Sequence, residues 1–378
     1  MLLSEPSAML LDIGEEPDWI FRCCTQPQRD RLTHDFCRLV DQYPTRRVLL
    51  CGSGSVLCAA EVLQFAFREL LHWEAEWLPS GAFIHHGHFP LDSYSPQELL
   101  LLCPAETGNT RGPVIAAQKA RESGIPVVCI CRSSNNPLAR FSSVVIPKLS
   151  GDERARPSTK GYVCGVLELL LCVVESAYKT GVLSNEQYTG FLAETKQLPQ
   201  SFRYLIQQAS CWFNHWGATV LAHTQYRIIG YGVNYGTASE GALKFIEAGY
   251  RIATAYELEE FLHGPMGAVG EEDLLFFLFA EDGEEKSTMC CLYRQLSAVL
   301  PTSCVAIGAV PEELRNPMSL AFSLSNDLYL AALQLVVPLQ VFAARLALAL
   351  GHDTRTCRNR ALREAMCTDY QTTNETRL

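Results

Sequence analysis

Short apolar runs alternate with stretches of helical periodicity along the first 150 residues or so, a pattern typical of a parallel α/β sheet with helices on both faces. The apolar runs predict buried strands, and the periodic stretches between them predict helices. The predicted strands span residues 47–51, 98–103, 125–131 and 143–147, and the predicted helices span 56–71 and 114–123.

The pattern begins again after a helical stretch over residues 158–216. A strand runs into a glycine turn at 227–232, further strands follow at 274–280 and 303–307, and helices are predicted over 237–248 and 328–350. The chain is therefore predicted to hold two similar α/β units of about 150 residues each, a repeat of architecture more than of letters. The predicted organisation is a helical lead-in (1–45), a first domain (46–180), a helical connection (181–215), a second domain (216–352) and a tail (353–378) predicted to be mostly loop.

Composition and charge exclude several classes of protein. The chain has 378 residues, of which 48% are hydrophobic, so it can bury a large core. Its 31 basic and 41 acidic residues give a net charge of −10 without a basic tract, which argues against a nucleic acid partner. A small phosphorylated ligand stays possible, because backbone amides bind phosphate without net positive charge.

The chain also lacks the marks of secretion and membrane insertion. Its first residues have no basic segment followed by a long apolar run, so a cytoplasmic location is expected. The stretch 328–350 is interrupted by Gln334, Pro338, Gln340 and Arg345, which predicts a buried helix and no membrane partner. Sixteen cysteines form no spacing framework, and most are expected to be small buried hydrophobes. Examples are Cys103, Cys129, Cys131, Cys164 and Cys172.

Two turns that connect a predicted strand to a helix carry small and hydroxyl residues. Amides in such a turn can hold an anion at the helix N-terminus, although a short Gly/Ser turn alone is more often a simple connection. Two such turns on neighbouring strands would converge at the carboxyl edge of the sheet, where open α/β sheets bind ligands. The candidate phosphate-binding residues are Gly52, Ser53 and Ser55 in the first turn and Thr107, Gly108, Asn109 and Thr110 in the second.

The second half offers candidates for acid–base chemistry. Lys244 and Glu247 share one helical face, which commonly means a surface ion pair, but their flanks are largely apolar. His263 precedes Gly264-Pro265, so it should lie where a helix ends, pointing either into a cleft or into solvent.

Other chemistries are disfavoured by the residues present. His85, His86 and His88 lie in a segment bounded by glycine and proline, without a carboxylate or cysteine at ligand spacing, so no metal is expected. No serine has the G-x-S-x-G context of a hydrolase. No organic cofactor is expected either.

These motifs, in this order, resemble the SIS (sugar isomerase) domain family over nearly the whole chain. The resemblance is greatest to tandem-SIS enzymes, namely the isomerase half of glutamine–fructose-6-phosphate aminotransferase and the fructosamine-6-phosphate deglycases. Residues 8–17 resemble the family's M-x-x-E-I-x-E-Q-P opening, and 107–110 its S-G-E-T turn. Residues 151–160 resemble G-x-E followed by S-T-K, 240–244 match E-G-A-L-K, and 259–265 resemble its H-G-P segment.

The resemblance implies two flavodoxin-like SIS domains, each an α/β/α sandwich with a parallel sheet, and a role for each matching residue. Gly52, Ser53, Thr107 and Thr110 would hold a sugar phosphate, with Ser158 and Glu259 as further substrate contacts. Glu247 falls on the base that moves a proton between C1 and C2, and His263 falls on the histidine that opens the sugar ring. Lys244 falls on a lysine beside them. Because the family's histidine often reaches a neighbouring subunit, a homodimer or higher homo-oligomer is implied.

Three departures from the family pattern limit the implied activity. No catalytic cysteine follows Met1 and the SIS pattern starts at once, so amination by glutamine is not expected. Ala105 replaces the first serine of the phosphate turn, and Glu106 places an acid beside a dianionic phosphate. The family's C-terminal lysine is missing, and arginines of the segment 358–363 occupy that region; an arginine cannot form a Schiff base.

The interpretation favoured by the sequence is an enzyme that cleaves the C–N bond of a 6-phosphorylated fructosamine or an amino sugar phosphate. An aldose–ketose isomerase of the same fold is one alternative. A non-catalytic sugar-phosphate sensor is the other, and the missing lysine and Glu106 fit it, whereas Glu247 and His263 argue against it.

Overall fold

The computed structural model of the protein describes residues 7–366 and 368–370, so Met1–Pro6 of the predicted lead-in and residues 371–378 of the predicted tail lie outside the described residues. Strands and helices alternate through most of the described chain. The strands are β1 (Arg47–Gly52), β2 (Glu74–Pro79), β3 (Leu99–Pro104), β4 (Val127–Cys131), β5 (Val144–Pro147), β6 (Gln225–Gly230), β7 (Ile252–Glu257), β8 (Asp273–Phe279), β9 (Cys304–Gly308) and β10 (Leu320–Ala321). The helices are α1 (Ala8–Cys24), α2 (Gln26–Gln42), α3 (Ser55–Leu71), α4 (Ser80–His86), α5 (Arg111–Glu122), α6 (Pro137–Phe141), α7 (Lys160–Lys179), α8 (Asn185–Thr195), α9 (Leu198–Ala222), α10 (Asn234–Gly249), α11 (Leu258–Leu262), α12 (Glu284–Val299), α13 (Leu328–Ala349) and α14 (Arg360–Ala365).

The first sheet has the strand order β2-β1-β3-β4-β5, and every neighbouring pair is parallel. All residues of β3 and β4 are buried, which is the expected position for strands written as continuous apolar runs. Side chains of these strands form a core with residues of α5, including Val114 and Ala117.

The second sheet repeats the arrangement of the first. Its order is β7-β6-β8-β9-β10, and all neighbouring strands are again parallel. In each sheet the second strand along the chain lies at the edge, and the first strand lies between the second and the third. The predicted parallel α/β class and the predicted duplication of architecture are therefore confirmed.

The chain divides into two compact units, one around each sheet. The first-sheet unit comprises Arg22–Gly151, Cys164–Gly190 and the described part of Cys357–Leu378. The second-sheet unit comprises the described part of Met1–Phe21 together with Asp152–Val163 and Phe191–Thr356.

Aromatic packing and one very apolar helix fill the core of the second-sheet unit. Phe245 of α10 stacks on Phe276 of β8 at 5.4 Å between ring centroids, and Phe342 of α13 lies 6.1 Å from Phe276. Within the described part of the chain, two helices, α7 and α13, are long and apolar enough to cross a membrane, but both are mostly buried inside the protein. The prediction that residues 328–350 form a core helix is thus confirmed.

Some predicted elements need correction. The helical stretch predicted over 158–216 is three helices, α7, α8 and α9. The strands β2 and β7 were not predicted, because both lie at sheet edges, where half-exposed polar residues break the apolar pattern. The tail, predicted to be mostly loop, contains the helix α14. The five cysteines expected to be buried are buried, and none of them forms a disulfide with another described residue.

Candidate functional site

The first candidate turn connects β1 to α3. Gly52 ends the strand, Gly54 takes a left-handed φ of 64°, and the helix begins at Ser55. The exposed Ser53 places its Oγ 2.9 Å from Oγ of Ser80, the first residue of α4 after the neighbouring strand β2. The hydroxyl of Ser80 is an addition that the sequence did not single out, because it follows a strand that the apolar pattern hides.

The second candidate turn connects β3 to α5 and is held in shape by a side chain from elsewhere in the same unit. Gly108 has a φ of 72°, and a Cβ on it would lie only 2.1 Å from Oδ1 of Asn136. That same Oδ1 accepts the N–H of Ala139 at 2.9 Å and so caps α6. Within the turn, the Asn109 N–H donates to Oγ1 of Thr107 at 3.3 Å. Only glycine fits at position 108, so the turn has one available backbone path.

The two turns lie at the point where the strand order of the first sheet reverses. β1 and β3 are adjacent and parallel, although β2 intervenes in the sequence, so the helices after them leave the sheet in different directions. Open α/β sheets bind ligands in the crevice outside the carboxyl ends of strands at such a reversal. Thr107, Asn109 and Thr110 are exposed there, with the N-terminus of α5 beginning at the next residue. The arrangement offers amides and hydroxyls to an anion.

The chain's own tail lies along the second turn. The N–H of Tyr370 donates to the carbonyl of Asn109 at 2.7 Å, and the N–H of Arg111 donates to the carbonyl of Thr368 at 3.0 Å. Thr110 and Asp369 form an antiparallel bridge between these bonds. The polar pattern of the tail did not indicate this contact, and Tyr370 is its single aromatic residue. One of the first amides of α5 is therefore already engaged.

Glu106, the acid beside the second turn, forms an ion pair with the buried Lys148. The carboxylate of Glu106 forms an ion pair with Nζ of Lys148, whose side chain is only 4% exposed. The two residues are 42 positions apart and follow β3 and β5, which flank β4. Glu106 thus differs from the lone acid beside a phosphate considered in the sequence analysis, because a cation compensates its charge.

The predicted catalytic pair lies in α10 of the second-sheet unit, and it is not a surface ion pair. Nζ of Lys244 is 2.6 Å from Oε2 of Glu247 and 3.3 Å from Oε1 of Glu240, and both Lys244 and Glu240 have fully buried side chains. Burial alone would lower the pKa of Lys244, but the two carboxylates outweigh it and raise that pKa above its ordinary value. Lys244 is therefore a permanent cation, and it holds the carboxylate of Glu247, which stays 37% exposed.

A second set of charges surrounds the start of α7 in the same unit. Asp12, fully buried, accepts N–H groups from Arg154 and Ala155 at 2.8 Å each, and Nζ of Lys160 lies 3.3 Å from its Oδ1. The Thr159 N–H donates to Oε1 of Glu153 at 2.6 Å. These bonds fix the segment that carries the predicted substrate contact at residue 158.

The structure places the three remaining predicted contacts in different surroundings. Oγ of Ser158 is buried and has no hydrogen-bond partner among the described residues. His263 ends α11, as predicted, and its side chain is 76% exposed. Its Nε2 lies 4.0 Å from Oε2 of Glu259, which is 64% exposed. Both side chains are thus accessible to a molecule from outside the unit.

Two parallel sheets of the same reversed order, one of them with glycine and hydroxyl turns at the reversal, define a duplicated, doubly wound α/β protein. A family model described as SIS domain matches residues 43–170 and 223–307, more than half of the chain. The chain belongs to the SIS domain family. The resemblance inferred from the ordered motifs is thereby confirmed.

Individual relatives agree with this assignment. A glutamine--fructose-6-phosphate aminotransferase [isomerizing] from Leifsonia xyli is 25% identical over 372 residues, which cover 94% of this chain and 58% of that protein. The chain spans about half the length of the curated relatives it matches.

Solved structures show the same fold. The C-terminal domain of a glucosamine-fructose-6-phosphate aminotransferase from Francisella tularensis has a TM-score of 0.82 at 19% identity, covering 93% of this chain and 98% of that one. A glucosamine-6-phosphate deaminase from Thermotoga maritima has a TM-score of 0.68 at 18% identity, covering 93% and 98%.

Proposed function

We propose that this SIS protein is an enzyme that cleaves the C–N bond of a 6-phosphorylated fructosamine or an amino sugar phosphate. The products would be a hexose 6-phosphate and an amine or ammonia. The observation that carries the proposal is the buried contact of Lys244 with Glu240 and Glu247. A lysine that served only solubility would extend into water. The ammonium group of Lys244 is instead buried, where it orients the partly exposed carboxylate of Glu247.

The chemistry assigned to Glu247 is a proton transfer between two carbons of the open-chain sugar. Glu247 would take a proton from C1 of a 1-amino ketose phosphate and return it to C2, which converts the substrate into the imine of an aldose phosphate. Water then adds to C1, the C–N bond breaks and the amine leaves with a proton. The exposed His263 would open the ring by donating a proton to the ring oxygen as a general acid.

Substrate binding is assigned to the turns of the first sheet. Gly52 and Ser53 in one turn and Thr107 and Thr110 in the other would hold the phosphate with amides and hydroxyls, as the reversal of strand order favours. The compensation of Glu106 by Lys148 supports this assignment, because it removes a net negative charge from the edge of the turn. We further propose that the protein works as a homo-oligomer in which His263 serves a neighbouring subunit.

Turnover on a panel of phosphosugars tests the proposal. The purified chain is incubated with glucosamine 6-phosphate, fructose 6-phosphate and 6-phosphofructose adducts of several amino acids, and both hexose 6-phosphate and free amine are measured. Glu247→Gln should lower the rate of amine release by about 100-fold or more, which is the usual effect of removing a general base. Glu312→Gln, a change of an exposed glutamate in a short turn, is the matched control and should leave the rate unchanged.

The other results each contradict the proposal in a specific way. Interconversion of hexose phosphates without amine release would make the protein an aldose–ketose isomerase. Saturable binding of a phosphosugar without any turnover would make it a sensor. Amine release that persists in Glu247→Gln would remove the assigned base.

A further inference from the structure

A buried carboxyl group close to the proposed catalytic residues has no assigned role. Glu16 of α1 is fully buried, and neither of its carboxyl oxygens has a hydrogen-bond partner among the described residues. Its neighbours in sequence differ, since Asp12 accepts two backbone N–H groups and Glu15 contacts Arg154 at 2.5 Å and Lys160 at 2.7 Å. An ionised carboxylate without a partner in such a place costs several kcal/mol.

The charges around Glu16 make ionisation still less favourable. Glu153 from the segment before α7, Asp12 from its own helix and Glu240 from α10 all act on it, and Lys160 is the opposing cation. Burial raises the pKa of the Glu16 carboxyl well above its ordinary value, the three carboxylates raise it further, and Lys160 lowers it. Lys160 is itself already engaged with Asp12, 3.3 Å from its Oδ1.

We infer that Glu16 is a neutral carboxylic acid in the working protein and acts as a positioning residue for the chain of contacts from Glu240 through Lys244 to Glu247. A neutral Glu16 places no negative charge beside Glu240, whose Oε1 lies 3.3 Å from Nζ of Lys244. With Glu16 neutral, the charge of Lys244 is shared between two carboxylates, and Glu247 keeps its place. A negative charge on Glu16 would repel Glu240, the acid that shares Lys244 with Glu247, and so disturb the position of Glu247.

The ligands present also favour a bound proton at this position. A metal ion is the alternative way to stabilise a buried acid, and no group of three or more metal-ligating side chains occurs among the described residues. Glutamine has the shape of a protonated glutamate without its ability to ionise, so Glu16→Gln is the variant that preserves the neutral state.

Infrared difference spectroscopy detects the proton directly and does not depend on the proposed function. Buried Glu168, whose pKa is raised to about 8, would give a similar band, so the spectra are compared in a Glu168→Gln background. At pH 7 the protein with Glu16 should show a protonated-carboxyl stretching band that the added Glu16→Gln change removes. Glu15→Gln is the matched control and should keep the band, because the hydrogen bond from Arg154 helps to lower the pKa of Glu15 to about 2 and leaves it ionised. The same band with and without the Glu16→Gln change in this background would overturn the inference.

The effect on Glu247 rests on the proposed function and is read from the pH profile of turnover. Glu16→Gln should match the wild-type kcat at pH 7 and hold it further into the alkaline range. Glu16→Ala, which leaves a gap beside the cluster, should lower kcat by about 10- to 100-fold with little change in KM, as small displacements of a catalytic group do. A loss of kcat in Glu16→Gln equal to that in Glu16→Ala would refute the positioning role. A wild type without turnover would refute the proposed function and leave the infrared result to decide the proton.

Discussion

The stability of the first-sheet unit should depend on pH through one buried acid, Glu168 of α7. Its side chain is fully buried, and Oε1 accepts the Leu149 N–H at 2.6 Å, whereas Oε2 has no hydrogen-bond partner among the described residues. Burial raises the pKa of Glu168 from 4.5 to about 8, with Lys148 and the Leu149 N–H opposing the shift and Glu106 adding to it. The folded chain therefore holds this proton more tightly than the unfolded chain does.

The size and sign of the effect follow from linkage. The stabilisation is fully present below pH 4.5 and is lost as the pH rises to about 8, by about 1.4 kcal/mol per pH unit. The whole shift corresponds to about 5 kcal/mol, a large share of the stability of an ordinary domain. Glutamine cannot ionise, so Glu168→Gln removes the contribution of this site to the pH dependence.

Urea unfolding of the wild type and Glu168→Gln at pH 5, 6, 7 and 8 measures the difference. The free energy of unfolding of the variant should gain on that of the wild type by about 4 kcal/mol between pH 5 and pH 8. Amide hydrogen exchange in β3 and β4 confines the readout to the unit that contains Glu168. Glu186→Gln, a change of an exposed glutamate on α8, should show no such gain. A difference between Glu168→Gln and wild type that stays constant with pH would refute the reasoning.

Two further substitutions test the candidate site. Gly108→Ala should cost about 1–3 kcal/mol and weaken binding of glucose 6-phosphate, because its Cβ would meet Asn136. Gly124→Ala, with a similar φ of 75° and only an ordinary contact with Cβ of Pro96 at 3.7 Å, should leave binding unchanged. Calorimetry and thermal unfolding measure both, and equal binding by the two variants would contradict the prediction. Lys244→Met should destabilise the chain by about 3–5 kcal/mol in urea unfolding, because it leaves Glu240 buried without its cation, and a loss below about 1 kcal/mol would show that this acid is compensated otherwise.

The sequence predicted the features that depend on local pattern. Continuous apolar runs identify central strands, and small residues directly after them identify the turns at Gly52 and Gly108, because both signals lie within a few neighbouring residues. Contacts between distant residues left no such signal. Lys148 meets Glu106 because β4 alone separates β3 and β5, the strands that these two residues follow. The burial of an acid such as Glu16 cannot be read from the sequence, because glutamate occurs at exposed and at buried positions.

Under the proposed function, the turns and not the sheets decide where an anion binds, because the two sheets have the same topology. The reversal of strand order in the second sheet, between β6 and β8, likewise carries a glycine with positive φ, Gly232. There the Gly232 N–H already donates to the carboxylate of Glu285, and Oε1 of Glu281 lies 3.2 Å from where a Cβ on Gly232 would be. An anion at this place would have to displace the protein's own carboxylates, whereas the first sheet offers hydroxyls and amides. The same topology therefore favours a phosphate on one sheet and disfavours it on the other.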